Sequence, residues 1–244
     1  MISLSAICSK ASLAALALLL SAPALCATVT GRIELTDSSN SLVKKQKNYS
    51  GIVVWLQALD GAPVYSAKKR VLMLQRNKKF SPHILAITVG TTVDFPNEDL
   101  IFHNAFSNFD GEIFDIGLYP PGSSRAVRFE RTGIVHIFCN IHPSMSAIIV
   151  VLDSPFFAQT DLTGRFSIPN VPPGSYELHF FHERATPETL EKLTRIISVS
   201  EASEDLAPVT ISETGYLPVA HKNKYGRDYP AQIDERPAYA LPLK

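Results

Sequence analysis

The sequence has little sulfur and no excess of either charge. It contains three cysteines and three methionines in 244 residues, and 23 basic residues balance 23 acidic ones. Without a basic excess or a polybasic block, neither nucleic acid nor an anionic membrane surface is an expected partner. Beyond residue 27 no apolar run is long enough to span a bilayer. Hydrophobic residues still make up 45% of the chain, enough for one or two folded domains.

The first 27 residues have the pattern of an export signal. Lys10 is their only charge, residues 11–20 form a short apolar core, and small residues follow up to Ala27. We therefore predict a cleaved signal peptide over residues 1–27 and a periplasmic protein, which touches a membrane only through that signal before cleavage. A retained anchor is the alternative, and cleavage after Ala24 is an alternative to cleavage after Ala27.

Removal of the signal by cleavage after Ala27 leaves one cysteine. Cys8 and Cys26 lie within residues 1–27, so Cys139 would stand alone in the mature chain. Exported compartments are oxidising and favour paired cysteines. A single thiol there calls for an explanation, and metal ligation and a reactive role are the usual ones.

Nearly all of the chain after residue 28 indicates short strands, so we predict an all-β fold of β-sandwiches. One short helix is expected at Pro187–Leu193, with Thr186 as its N-cap. Residues 213–244 have no apolar periodicity and are predicted to be an extended C-terminal tail, docked or loose. The predicted strands are Val29–Leu35, Ile52–Gln57, Val71–Gln75, Ile84–Val89, Thr91–Phe95, Arg125–Glu130, Ile134–Cys139, Ala147–Leu152, Gly164–Ile168 and Tyr176–Phe181.

A thiol, an imidazole and a thioether fall within seven residues, at Cys139, His142 and Met145. This segment joins two predicted strands, so a tight loop can turn the three side chains toward one point. Sulfur and imidazole donors select copper, and two histidines, one cysteine and a weak axial methionine form a blue-copper site. Taken singly, the three residues would be a buried thiol, a polar loop residue and core filler. Their joint spacing favours the copper site.

The second histidine of such a site has to come from elsewhere. His103 is the best candidate, because it lies shortly after the strand that ends at Phe95. The others fit less well, either because strand alternation turns them to the wrong face or because of their position in the chain. They are His83, His136, His179, His182 and His221.

Residues 71–152 resemble a cupredoxin, the family of plastocyanin, pseudoazurin and amicyanin. The C-x-x-H-x-x-M spacing is similar to that of amicyanin, although Ser146-Ala147 stands where many relatives have glycine nearby. The matching features are Phe80-Ser81-Pro82, the run from Val89 to Asn97 with an acid at 99, His103-Asn104, Gly122, Gly133 and Cys139-x-x-His142-Pro143-x-Met145.

The resemblance implies an eight-stranded Greek-key sandwich that carries electrons. It also implies that Asn104 braces the ligand loop, with its backbone near the cysteine sulfur. In such proteins the edge of the loop histidine, here His142, reaches an apolar patch where redox partners dock. The expected patch residues are Leu118, Tyr119, Pro120, Ile141 and Pro143.

The flanks of this region resemble a carboxypeptidase regulatory-like (transthyretin-like) sandwich. Residues 160–178 look like its second half, and Val29–Leu35 and Ile52–Gln57 look like its first strands. We therefore predict first strands of this sandwich in 28–60, a cupredoxin domain inserted at 61–153, the rest of the sandwich in 154–212 and the tail in 213–244. Two domains in series are the alternative. Proteins with this layout that are labelled methylamine utilization proteins are similar, but no residue here indicates an amine ligand.

Together these patterns predict an exported type 1 copper protein that binds one copper ion and passes single electrons between redox partner proteins. A copper carrier or storage protein without redox turnover is the alternative, and a binding role through the transthyretin-like part is a third. An enzyme is not expected. One cysteine cannot make a binuclear CuA site, and the sequence has no His-x-His pair for the trinuclear cluster of multicopper oxidases.

Overall fold

The computed structural model describes residues 26–60, 69–108, 111–217 and 221–229. Within them the protein is all-β with two short helices, which confirms the predicted fold class. None of these helices is long and apolar enough to cross a membrane. The predicted signal peptide up to residue 25 and the tail beyond residue 229 lie outside the described residues.

The elements follow one another along the chain in this order: β1 (Ala27–Thr36), α1 (Ser41–Gln46), β2 (Val53–Ala58), β3 (Arg70–Leu72), β4 (Leu74–Arg76), β5 (Lys79–Ser81), β6 (Ile84–Thr88), β7 (Thr92–Pro96), β8 (Phe106–Ser107), β9 (Phe114–Asp115), β10 (Ser124–Arg128), β11 (Gly133–Phe138), β12 (Ser146–Leu152), β13 (Phe157–Gln159), β14 (Arg165–Val171), β15 (Gly174–Phe181), α2 (Pro187–Leu193), β16 (Arg195–Val199), β17 (Glu204–Asp205) and β18 (Val209–Ser212).

One sandwich is built from the two ends of the described chain. One of its sheets contains β1 between β14 and the short parallel strands β17 and β18, and the other has the order β13-β2-β15-β16. Buried residues from both sheets, among them Ile33, Leu56 and Ile168, form its core. Gly164 makes the turn before β14, because its φ is +81° and a Cβ there would clash with the carbonyl of Ile33.

The second sandwich is built from the intervening residues. Its sheets have the orders β6-β12-β11-β8-β9 and β10-β7-β3. Cys139 and Met145 belong to the core between them, together with apolar residues such as Phe95 and Ile149. The candidate ligands therefore lie at one end of this core.

In the sequence, the strands of 70–152 lie between β2 and β13, yet they pair with one another. β1 instead pairs with β14, in register from Val29 opposite Ile168 to Arg32 opposite Arg165, and with β17 and β18. The first sandwich thus takes strands from both sides of the second in the sequence. The domain boundaries themselves stay a prediction, and residues 61–68 at the first of them lie outside the described residues.

A third apolar cluster joins the two sandwiches. Ile148, Val150 and Leu152 on the outer face of β12 pack with Val53 and Phe181 of the first sandwich. β12 is consequently covered on both faces, which explains why its sequence is a continuous apolar run rather than an alternating one. The β2–β15 sheet and the β12 sheet thus lie back to back.

The two helices differ in how well the sequence predicts them. α2 spans the predicted residues, with Thr186 as N-cap accepting a hydrogen bond from the Thr189 amide. α1 was not predicted, since six residues are too few to show a helical period. Its N-cap Asn40 accepts a 2.8 Å bond from the Leu42 amide, and Lys47 ends it in the left-handed conformation.

Candidate metal centre

Three predicted ligands meet at one end of the second sandwich. One ligand atom each from His103, Cys139 and His142 lies within 4.8 Å of the other two. Cys139 Sγ is 3.5 Å from Nδ1 of His142 and 3.9 Å from Nδ1 of His103. His103 and Cys139 are fully buried, and His142 is half-buried. Both imidazoles thus face the sulfur with the same ring nitrogen.

The loop from Cys139 to Met145 is closed by its own backbone. The Cys139 amide donates to the carbonyl of Met145 at 3.1 Å, and the Met145 amide donates to the carbonyl of His142 at 3.0 Å. β11 ends just before this loop and β12 begins just after it, so both of its ends are fixed in one sheet. The side chain of Met145 is fully buried in the same core as that of Cys139.

His103 is held by its backbone and by its far ring nitrogen. Its amide and carbonyl exchange hydrogen bonds with Tyr119, at 3.3 and 2.9 Å. Its Nε2 lies 2.7 Å from a carboxylate oxygen of Asp99, which can only accept. Nε2 therefore carries the proton, and Nδ1 presents a lone pair toward Cys139.

Asp99 is itself fixed by the backbone. Its carboxylate accepts hydrogen bonds from the amides of Asn77 at 2.6 Å and Lys78 at 2.8 Å. Burial opposes the charge, but the hydrogen bonds from Lys78, His103 and Asn77 outweigh it and hold the pKa of Asp99 below its ordinary value. The sequence offers the acid at 99 as part of a resemblance but does not reveal this bond.

Burial also sets the protonation of the ligands. It raises the pKa of the Cys139 thiol, while backbone N–H groups of Asn104, Ile141 and His142 partly counteract that rise. It lowers the pKa of His103, and the contact with Asp99 acts in the opposite direction. The lowered pKa favours the neutral imidazole that a metal ion requires, whereas the raised pKa keeps Cys139 a thiol, which would release its proton when a metal ion binds.

Asn104 links the two ligand segments. Its Oδ1 accepts a 2.6 Å hydrogen bond from the amide of Asn140, next to Cys139. Its own backbone amide is one of the three groups directed at the sulfur. This is the position that the resemblance assigns to it.

The other histidines have other partners in the described part of the chain. His83 lies 2.6 Å from Glu183, His182 lies 2.9 Å from Glu213, and His179 stacks on Trp55 at 4.9 Å. Within the described residues, His103, Cys139 and His142 are the one group of three such side chains close enough to hold a metal ion.

The prediction of the apolar patch is wrong for one residue. Tyr119 is fully buried, because it packs in the core and its hydroxyl donates to the carbonyl of Phe95 at 2.8 Å. Leu118 is 52% exposed, and Pro120 and Pro143 are exposed as well. Strand alternation in the His103–Tyr119 bridge accounts for the difference between neighbours 118 and 119.

The prediction for the tail left docked and loose open, and it placed no tail residue at the ligand loop. His221, Lys224 and Tyr229 all contact the segment from Phe138 to Pro143. Their stretch has no apolar period, so the sequence carries no signal for its docking.

Comparisons with solved structures return copper proteins. A copper-containing nitrite reductase from Thermus scotoductus SA-01 is 28% identical over 39% of this chain and 25% of its own, with a TM-score of 0.34. A purple cupredoxin from Nitrosopumilus maritimus is 26% identical over 35% of this chain and 100% of its own (TM-score 0.31). Amicyanin from Paracoccus versutus is 22% identical over 40% of this chain and 91% of its own (TM-score 0.32).

This chain thus covers a quarter of the length of the nitrite reductase. No family model and no curated protein sequence matches the chain. Because each likeness covers about two fifths of this chain or less, the assignment of the site rests on its own residues.

Proposed function

We propose that this chain is an exported type 1 copper protein with a cupredoxin domain, which carries single electrons between redox partner proteins. The observation that carries the proposal is the convergence of two Nδ1 atoms on the buried sulfur of Cys139, with the three atoms within 4.8 Å of one another. His103, Cys139 and His142 would hold the metal, and Met145 would be its weak axial ligand. The proposed layout places this domain between the two parts of a transthyretin-like sandwich.

The chemistry of the donor set fits copper. Two imidazoles, a thiolate and a thioether are soft or intermediate donors, whereas magnesium and calcium require oxygen ligands. Bound copper would supply one-electron oxidation and reduction. The Asp99–His103 bond supports the fit, since histidine ligands usually donate their second N–H to a carboxylate or carbonyl.

The rigidity of the site supports electron transfer in particular. Both ends of the ligand loop are held in a sheet, and its backbone bonds to itself and to Asn104. Ligands held in this way move little between oxidation states, so little reorganisation accompanies each electron. His142 is the least buried of His103, Cys139 and His142 and would be the point where an electron enters and leaves.

The test is the visible absorption spectrum of the mature protein loaded with Cu(II). We expect an intense band near ~600 nm, from a short copper–thiolate bond in a trigonal site. The band should vanish in Cys139→Ala. Met145→Leu should shift it, whereas Met73→Leu, a change of the same type at a fully buried methionine of the same core, should leave it in place.

A colourless protein that binds only Cu(I) would overturn electron transfer and favour the copper-carrier alternative. A protein that binds no copper would overturn both. A blue protein whose band survives in Cys139→Ala would show that the ligand assignment is wrong.

A further inference from the structure

Residues 221–229, which we call the clasp, lie against the ligand loop. The Tyr229 hydroxyl donates to the carbonyl of Cys139 at 2.8 Å, and the Lys224 amide donates to the side chain of Asn140 at 3.0 Å. His221 Nε2 donates to the carbonyl of Pro143 at 2.6 Å. Three groups of the loop are therefore bonded from outside the cupredoxin-like residues.

Aromatic contacts add to these hydrogen bonds. The ring of His221 stacks on that of Phe138 with centroids 4.0 Å apart and planes 24° from parallel. The ring of Tyr229 meets His221 edge-on at 5.2 Å. Phe138 is the residue before Cys139, so the stack begins where the ligand loop begins.

The clasp has a local fold of its own. The side chain of Asn223 accepts hydrogen bonds from the amides of Tyr225 and Arg227, at 3.0 and 3.1 Å. The Asn223 amide donates to the carbonyl of Arg227 at 2.9 Å, which closes a turn. Instead of running extended, this part of the tail is preformed for contact with the loop.

A closed ring of polar contacts ties the clasp to both ligand segments. Lys224 donates through its amide to Asn140 and through its Nζ to Asp115 at 2.7 Å. Asn140 donates to Asn104 at 2.6 Å, and the side-chain amide of Asn104 lies 3.5 Å from Asp115. The clasp is thereby connected to the segments of His103 and of Cys139 at once.

We infer that the clasp is part of the metal site and that Tyr229 and His221 are positioning residues, which hold the loop from Cys139 to Met145 in its metal-binding shape. This inference rests on the proposed function. It goes further, because it places residues outside the copper-binding sandwich in control of how fast the metal leaves. Hydrogen bonds on the carbonyls of Cys139 and Pro143 restrain the loop in the metal-free protein as well.

Tyr229→Phe and His221→Ala in the full mature chain test this inference, with Tyr176→Phe as the matched control. Tyr229→Phe removes the hydroxyl that bonds the ligand loop, whereas Tyr176→Phe removes a hydroxyl that donates to the carbonyl of Pro172 at 2.9 Å in the first sandwich. Two quantities are measured. One is hydrogen exchange of the amides of 139–145 in the metal-free protein, and the other is the rate at which a chelator removes Cu(I) from the loaded protein.

We expect both rates to rise about fivefold in Tyr229→Phe, the size that one hydrogen bond implies. His221→Ala, which loses a hydrogen bond and a ring stack, should raise them about tenfold or more. The thiolate band should also shift in Tyr229→Phe, because the hydrogen bond acts on the peptide group of the ligand. Tyr176→Phe should change none of the three.

Rates and band positions in Tyr229→Phe that match those of Tyr176→Phe would overturn the inference. A uniform rise of exchange over all strands would also overturn it, since that marks general destabilisation rather than a hold on the loop. If the wild-type protein shows no thiolate band, the proposed function fails, and the exchange of 139–145 alone then decides whether the clasp holds the loop.

Discussion

Within the described part of the chain, two buried histidines face a carboxylate, one in each sandwich. His103 Nε2 lies 2.7 Å from Asp99, and His182 Nε2 lies 2.9 Å from Glu213. Their side chains are 0% and 3% exposed, so both imidazoles are removed from water. The local chemistry of the two pairs is nearly the same, yet of these two only the first has the surroundings of a metal site.

The difference lies in what else surrounds each pair. Glu213 also accepts hydrogen bonds from Ser38 at 2.7 Å and from Arg184 at 3.1 Å, so it is the hub of a structural network. Nδ1 of His182 is buried and has no hydrogen-bond partner among the described residues. Nδ1 of His103 instead faces the sulfur of Cys139, with a second imidazole beside it. A buried histidine–carboxylate pair is thus no metal site by itself, and the converging sulfur makes the distinction.

The largest expected effect concerns the His182–Glu213 pair, which we call the structural pair, as opposed to the His103–Asp99 pair, which we call the metal pair. Glu213→Ala removes the acceptor shared by Ser38, His182 and Arg184, and leaves the Arg184 charge without this partner. We expect the free energy of unfolding to fall by about 3–5 kcal/mol, the usual cost of breaking a buried ion pair. Chemical denaturation of the metal-free protein measures it.

Glu130→Ala is the control for that change. Glu130 pairs with Arg128 at 3.0 Å, but the two side chains are 68% and 60% exposed. Its loss should change stability by no more than about 0.5 kcal/mol. Equal effects of the two substitutions, or a copper spectrum that disappears in Glu213→Ala at a temperature where the chain is still folded, would contradict the division into a structural and a metal pair.

Asp99→Asn tests the metal pair. The amide keeps the size of the side chain but loses the charge that orients His103 and strengthens its donor nitrogen. We expect copper affinity to fall about tenfold, the lower end of the range for such outer partners. The reduction potential should rise, because a stronger donor stabilises Cu(II) more than Cu(I). Competition with a chelator of known affinity and voltammetry measure the two quantities.

Glu98→Gln is the matched control, since Glu98 is the neighbouring acid and forms an ion pair with Arg76. This substitution removes the same charge at the adjacent position in the sequence. If both variants change the potential equally, the effect of Asp99 is one of overall charge, and its orienting role is refuted.

The site was predictable to the extent that its chemistry is local in sequence. Cys139, His142 and Met145 share one loop, so their spacing alone brings two sulfurs and an imidazole together. The position of His103 depends on the pairing of distant segments, and the sequence supplied it through its place after the predicted strand end at Phe95, the poorer fit of the other histidines and the cupredoxin resemblance. Asp99 enters the sequence analysis only as an acid that matches the resemblance, and its spacing from His103 does not by itself distinguish it from a solvated acid.

Prediction of the fold from the sequence is limited in the same way. The continuous apolar run of β12 indicates a strand buried on both faces, but not that the second face meets β2 and β15 of the other sandwich. α1 is too short to show a period, and the clasp has none. Each of these features is set by tertiary contacts, which hydrophobic patterning does not encode.

The smallest expected effect concerns the contact between the sandwiches beside the metal site. His83 Nε2 lies 2.6 Å from Glu183 of the first sandwich, and its Nδ1 lies 3.2 Å from the carbonyl of Ser146 in the second. The hydrogen bond to Glu183 raises the pKa of His83, while burial and the nearby Arg184 act against that rise. Two acceptors on one ring favour the protonated imidazole, which donates to both.

The sign of the pH dependence follows from that raised pKa. The stabilisation by His83 is fully present below its unfolded value of about 6.5 and is lost as the pH rises through the higher folded pKa. Since half of the side chain is exposed, the contribution is at most about 1 kcal/mol. His83→Gln should therefore lower stability near pH ~6 and change it little near pH ~9, measured by denaturation of the metal-free protein. Glu183→Gln should remove most of this pH dependence, and a difference between wild type and His83→Gln that is the same at both pH values would show that the ion pair does not join the two sandwiches.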